Sequence, residues 1–163
     1  MSNEALSELA HRVAIADKLY EYARAMDRMD DELGYGVFHP EAMADYGEMF
    51  QGSGHEFIDF ARQAHQGMLA HQHAISNISI RIDGDNAGSE SYVTVTFRMQ
   101  DADGKLQGMR VHGRYIDRWQ RRDGQWRISD RRYIQEMDDS WPVDSQYGAS
   151  GSRDRSDPGY EVL

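Results

Sequence analysis

Hydrophobic periodicity changes once along this chain, and the change decides the fold class. Up to about residue 72 the apolar residues recur at three- and four-residue steps, as on one buried face of a helix. From about residue 74 they alternate, as in half-buried strands. Helices first and strands afterwards predict an α+β domain, with helices packed on one side of a strongly curved, mostly antiparallel sheet. A bent sheet closed by helices encloses a cone with one open mouth, a shape suited to a small ligand.

Residues 4–29 read as one helix, with Leu6, Leu9, Ala10, Val13, Leu19, Tyr20, Ala23 and Met26 on its apolar side. Asp30-Asp31-Glu32 interrupts the pattern. Residues 33–38 fit a short helix or turn closed by His39-Pro40. Residues 42–50 (AMADYGEMF) suit a short, partly buried hairpin or strand. Ser53, in the Gly52-Ser53-Gly54 loop, is placed to cap a second long helix over about 55–72, whose apolar side includes Phe57, Ile58, Phe60, Ala61, Met68 and Leu69. Four strands are expected at 74–82, 91–99, 109–120 and 125–137. They are separated by Asp83-Gly84-Asp85-Asn86, Asp101-Ala102-Asp103-Gly104 and Asp123-Gly124, the composition of tight hairpin turns.

A chain of 163 residues suits one domain with its own core. We place that domain at 1–142. Residues 143–163 (VDSQYGASGSRDRSDPGYEVL) lack apolar periodicity and are expected to be a mobile tail, or an arm that orders on a neighbouring subunit.

The net charge of −10 argues against nucleic acid as a partner, because phosphate binding needs a basic face. Basic residues do gather at 110–132, but acidic ones are interleaved with them. The chain has no cysteine, so disulfides, thiol nucleophiles and cysteine-based metal sites are excluded. No apolar stretch approaches the ~18 residues of a membrane helix, and Met1-Ser2-Asn3-Glu4 does not open a secretory leader. No membrane partner is expected, and the cytoplasm is the default compartment. Phosphate-cradling and nucleotide-binding glycine motifs and the serine nucleophile elbow are absent.

Two residues carry the chemistry this pattern allows. Asp27 lies near the end of the first helix, where a carboxylate opposes the helix dipole. His73 lies where the second helix gives way to a strand. A carboxylate beside an imidazole makes a base: it fixes the ring's tautomer and stabilises the imidazolium that forms. Tyr22 and Tyr46 are phenols able to donate to a substrate oxygen. Tyr22 and Asp27 are about 140° apart around an ideal helix, so they share a pocket only where it wraps the helix end. Only one of Arg131 and Arg132 can face the interior of a regular strand. An inward Arg131 would hold an oxyanion, a carboxylate or an acidic partner. His65, His71 and His73 raise the question of a metal. No acidic residue stands at the matching spacing, and His71 and His73, if already in a strand, are expected to point to opposite faces. No metal and no cofactor are therefore expected, and His65 and His71 are read as surface or helix-capping groups.

On these residues the chain resembles the SnoaL-like members of the NTF2-like superfamily, which include scytalone dehydratase, hexachlorocyclohexane dehydrochlorinase and a bacterial bile-acid dehydratase. The resemblance covers about residues 5–140. It rests on YARAMD (Tyr22, Asp27), ADYG (Tyr46), HAISN (His73, Asn77) and GRYIDRWQRRDGQWRI with Arg131 beyond it. It implies a cone-shaped α+β barrel and an Asp27–His73 dyad, with Tyr22 and Arg131 as further catalytic groups and Tyr46, Tyr115 and Asn77 contacting the substrate. The implied activity is cofactor-independent elimination, a dehydratase-type carbon–oxygen lyase acting on a hydrophobic alicyclic or aromatic alcohol. The same dyad would also suit a carbon–carbon lyase releasing a small aldehyde, or a double-bond isomerase. A non-catalytic subunit, like the β-subunits of ring-hydroxylating dioxygenases, or a pure ligand-binding domain shares the fold. The resemblance further implies a homotrimer or homodimer packed through outer sheet faces; Trp119 and Trp141 would serve there or, equally, in the core.

Overall fold

The computed structural model describes residues 2–163 and bears out the division into helices and meander. Helices α1 (Asn3–Arg28) and α2 (Asp31–Tyr35) are followed by strands β1 (Phe38–Asp45) and β2 (Gln51–Ser53) and helix α3 (Gly54–Gln66). Four long strands follow, β3 (Ala70–Asp83), β4 (Asn86–Gln100), β5 (Leu106–Arg122) and β6 (Gln125–Pro142), and a single 3₁₀ turn at Pro158–Glu161 comes last. The six strands form one sheet in the order β2-β1-β6-β5-β4-β3. All pairings are antiparallel except β1 with β6, so the sheet is mixed at that point only.

Each long helix starts on a side-chain cap. Ser2 Oγ accepts from the Ala5 N–H. At α3, Ser53 Oγ accepts from the Glu56 N–H while Glu56 bonds back to the Ser53 N–H at 2.9 Å, a full capping box. Gly54 follows that cap because Phe38 packs against it: a Cβ there would lie 2.4 Å from the ring. Helix α1 buries Ile15, Leu19, Tyr22, Ala25 and Met26 and ends where Met29 turns left-handed, its N–H bonding to carbonyls of the last turn. At the β5–β6 hairpin, Asp123 and Gly124 both have positive φ (51° and 78°), as a two-residue turn of matching twist requires.

Three expectations need correcting. Helix α3 stops at Gln66, not 72, and β3 begins at Ala70, so the region around His71 is strand. Residues two apart in a strand share a face, so His71 and His73 point the same way, with Gln72 exposed between them. Second, β3 carries two opposed alternations. His71, His73 and Ile75 face inward on odd numbers; Ile78, Ile80 and Ile82 do so on even numbers. A bulge with one extra residue between Ser76 and Ser79 re-phases the strand, and Asn77 sits in it at φ 49°. Third, Pro40 lies within β1, not at a boundary, and the β1–β6 register is irregular between Phe38 and Met43, where its missing N–H costs no ladder bond.

Residues 151–160, expected to be mobile or bound to a neighbour, fold back on their own chain. Asp157 pairs with Arg28 at 2.9 Å, the Tyr160 hydroxyl donates to Asp30 at 2.8 Å, and Arg24 lies over the Tyr160 ring. Trp119 is buried in the core, its Nε1–H donating to Ser89 Oγ at 2.8 Å, so it is not available to an outer-face contact. No helix among the described residues is long and apolar enough to cross a membrane.

Candidate active site

The last turn of α1 and the first residues of β3 meet side by side, and Asp27 and His73 are the joint. Asp27 Oδ1 accepts from His73 Nδ1 at 2.8 Å. The His73 backbone N–H is directed at both carboxylate oxygens, at 2.9 and 3.0 Å. Both side chains are nearly withdrawn from solvent, with 6% of His73 and 13% of Asp27 exposed. With Nδ1 turned to the carboxylate, Nε2 is the nitrogen left to take a proton.

Two further imidazoles pack beside this pair. The His65 and His71 rings lie 4.2 Å apart, and His65 is 5.6 Å from His73. His71 Nε2 donates to the Met26 carbonyl at 2.9 Å, which ties β3 to α1 one residue before Asp27. Burial holds His65 neutral, its pKa lowered to about 3, with the neighbouring imidazoles adding to the effect. His71 is lowered for the same first reason. No group of three or more metal-binding side chains with suitable geometry occurs among the described residues.

Tyr22, Tyr46, Tyr115 and Arg131 form a second set. The Tyr22 and Tyr46 hydroxyls are 3.0 Å apart. Tyr46 stacks on Phe57 at 3.7 Å and on Tyr133 at 5.2 Å. Arg131 is fully buried, its guanidinium carbon 4.3 Å from the Tyr22 ring centroid and 4.0 Å from that of Tyr115. Its Nε and Nη2 donate to the two oxygens of Asp117 at 2.7 and 2.8 Å, while Nη1 makes no hydrogen bond. Of the partners open to an inward Arg131, the acidic side chain is the one this structure provides. Burial pushes the Asp117 carboxyl up, and the guanidinium in bidentate contact works against it. Burial also raises the Tyr46 and Tyr115 phenols well above their usual range, so both stay protonated as donors.

Helix α1 joins the two sets, Tyr22 serving one and Asp27 the other. No hydrogen bond, ion pair or ring contact links them directly among the described residues. Asn77 belongs to neither: it is exposed, in the β3 bulge. Asp117, His65 and His71 have places here that the sequence did not assign. For Asp117 a signal existed, since it stands between Tyr115 and Trp119 at alternate positions of one strand, a carboxylate on an apolar face.

An α+β domain with helices on one side of a mostly antiparallel sheet of this order is an NTF2-like fold. Residues 7–132 match the SnoaL-like domain, and the chain belongs to that family. Solved structures with the same fold include a hexachlorocyclohexane dehydrochlorinase (LinA) of type 2, 19% identical, covering 90% of this chain and 99% of the other with a TM-score of 0.76. A candidate scytalone dehydratase from Novosphingobium aromaticivorans is 20% identical over 91% of this chain and 99% of its own, at a TM-score of 0.73. A candidate aromatic ring hydroxylase from the same organism is 25% identical over 83% and 94%, at 0.69. No curated protein sequence matches the chain.

Proposed function

We propose that this chain is a cofactor-independent lyase that eliminates water from a hydrophobic alicyclic or aromatic alcohol. The observation that carries the reading is the 2.8 Å contact between Asp27 Oδ1 and His73 Nδ1, made by two largely buried side chains. His73 Nε2 removes a proton from a carbon next to an activating group. Asp27 keeps the ring in the tautomer with Nδ1 protonated and stabilises the imidazolium, and the hydroxyl departs from the neighbouring carbon. The Tyr22–Tyr46 hydroxyl pair supplies neutral donors to a developing oxyanion or to the departing oxygen. Arg131, its charge balanced by Asp117, adds the two unpaired N–H groups of Nη1 and favours a neutral substrate over a carboxylate. The rings of Tyr22, Tyr46, Phe57, Tyr115 and Tyr133 suit an apolar body.

The test is to incubate the protein with a panel of cyclic and aromatic β-hydroxy ketones and follow loss of water by mass and by the absorbance of the conjugated product. Turnover that vanishes in Asp27→Asn and in His73→Ala supports the reading. Release of an aldehyde in place of water would move the reaction to carbon–carbon cleavage, and turnover unchanged in both variants would overturn the dyad.

A further inference from the structure

The C-terminal segment sends one side chain into the imidazole cluster. Arg153 Nη1 donates to the His65 carbonyl at 2.8 Å, at the end of α3, and lies 3.4 Å from His71 Nδ1. The segment that carries Arg153 is anchored on both sides of Asp27 along the chain: Tyr160 to Arg24 and Asp30, and Asp157 to Arg28. The Ser152 carbonyl also accepts from Arg28. Nothing in the catalytic reading uses Arg153.

Its position has a consequence for His71. A neutral imidazole has one N–H and one bare nitrogen. His71 has to donate from Nε2 to reach the Met26 carbonyl, so Nδ1 has to be bare. Arg153, which can only donate, stands at Nδ1 and favours that tautomer. The bond so fixed runs from the residue two before His73 to the residue one before Asp27, and it sets how β3 lies against α1 at the dyad.

We infer that Arg153 is a positioning residue for the Asp27–His73 pair, acting by holding His71 as the Nε2-protonated neutral ring that clamps β3 to α1. This rests on the dyad reading above. The charged and titratable groups facing His71 are His65 from α3, Asp27 from α1, His73 from its own strand and Arg153 from the tail. Burial and the Arg153 cation both oppose a second proton on His71, and Asp27 opposes them.

The test is ¹⁵N–¹H NMR of the histidine side chains in the full-length chain and in Arg153→Gln, Arg153→Lys and Asp27→Ala. In the unaltered protein His71 is expected as the Nε2–H tautomer, and His73 as the Nδ1–H tautomer with a slowly exchanging proton. Arg153→Gln is expected to raise the midpoint of His71 protonation. It should also speed exchange of the His73 Nδ1 proton about threefold or more, as the clamp loosens. Arg153→Lys, which keeps the charge, should restore most of the His71 midpoint. A His71 titration and a His73 proton both unchanged in Arg153→Gln overturn the inference. The dyad reading fails separately: loss of the slowly exchanging His73 Nδ1 proton in Asp27→Ala, which removes its acceptor, is expected, and its persistence there would sink that reading whatever Arg153 does.

Discussion

Asp27 holds His73 at two points, accepting from the ring at Nδ1 and from the backbone N–H of the same residue. The backbone contact fixes where the strand passes; the ring contact fixes which way the imidazole faces. One carboxylate thereby sets both position and tautomer, the two properties a general base needs before its substrate arrives.

Asp27→Asn separates these two tasks. The amide oxygen still accepts from the His73 N–H, so the melting temperature should change little, about 1 kcal/mol or less of stability. The charge that stabilises the imidazolium is gone, and turnover should fall about 10²- to 10⁴-fold. Steady-state kinetics beside a thermal melt decides: a melt that collapses with activity would make Asp27 structural first.

The buried Asp117–Arg131 pair predicts a non-additive stability series. Both side chains are fully buried, so removing one leaves the other as an uncompensated charge or a neutralised, unsatisfied group. Arg131→Met and Asp117→Asn should each cost about 3–5 kcal/mol in urea denaturation, and the double variant less than the sum. An additive double variant would mean the two groups stabilise the fold independently of their contact.

Gly113 makes room for Tyr133. A Cβ at Gly113 would lie 2.3 Å from the Tyr133 ring and 2.7 Å from the Ile134 carbonyl, and the second of these is backbone that cannot rotate away. Tyr133 in turn stacks on Tyr46. Gly113→Ala should therefore destabilise by about 1–3 kcal/mol and weaken substrate binding more than Gly108→Ala, where the crowded atoms belong to the Trp141 side chain. Melts and KM values for the two variants check the ordering.

How much of this was legible beforehand depended on the range of the signal. The meander, its turns and the capping serine were written locally, in alternation, Asp-Gly pairs and Ser53 three residues before Glu56. Asp27 and His73 were legible because few side-chain pairs suit proton abstraction, and their family context placed them. The β3 bulge was half-visible: His73 and Ile78 cannot share a face in a regular strand, and that conflict requires an inserted residue. The end of α3 was misplaced because Met68 and Leu69 continue a helical spacing; Gly67 ends the helix, and the Leu69 N–H already pairs with the Arg98 carbonyl. Nothing local announces that Arg153 reaches His65, since the contact joins residues 88 apart.

Acid stability should follow the buried imidazoles. His65 in the folded protein has its pKa lowered to about 3, chiefly by burial, against 6.5 for an exposed ring. Between those values the unfolded chain binds a proton at this position and the folded chain does not. Stability therefore rises with pH across that window and is lost as pH falls below about 6.5. One such group contributes at most about 1.4 kcal/mol per pH unit. Urea midpoints measured from pH 7 to pH 4 should decline, and His65→Leu, which keeps an apolar side chain in the same space, should flatten the decline. An equal slope in the variant would place the acid sensitivity elsewhere, with the carboxylates of the surface ion pairs as the next groups to titrate.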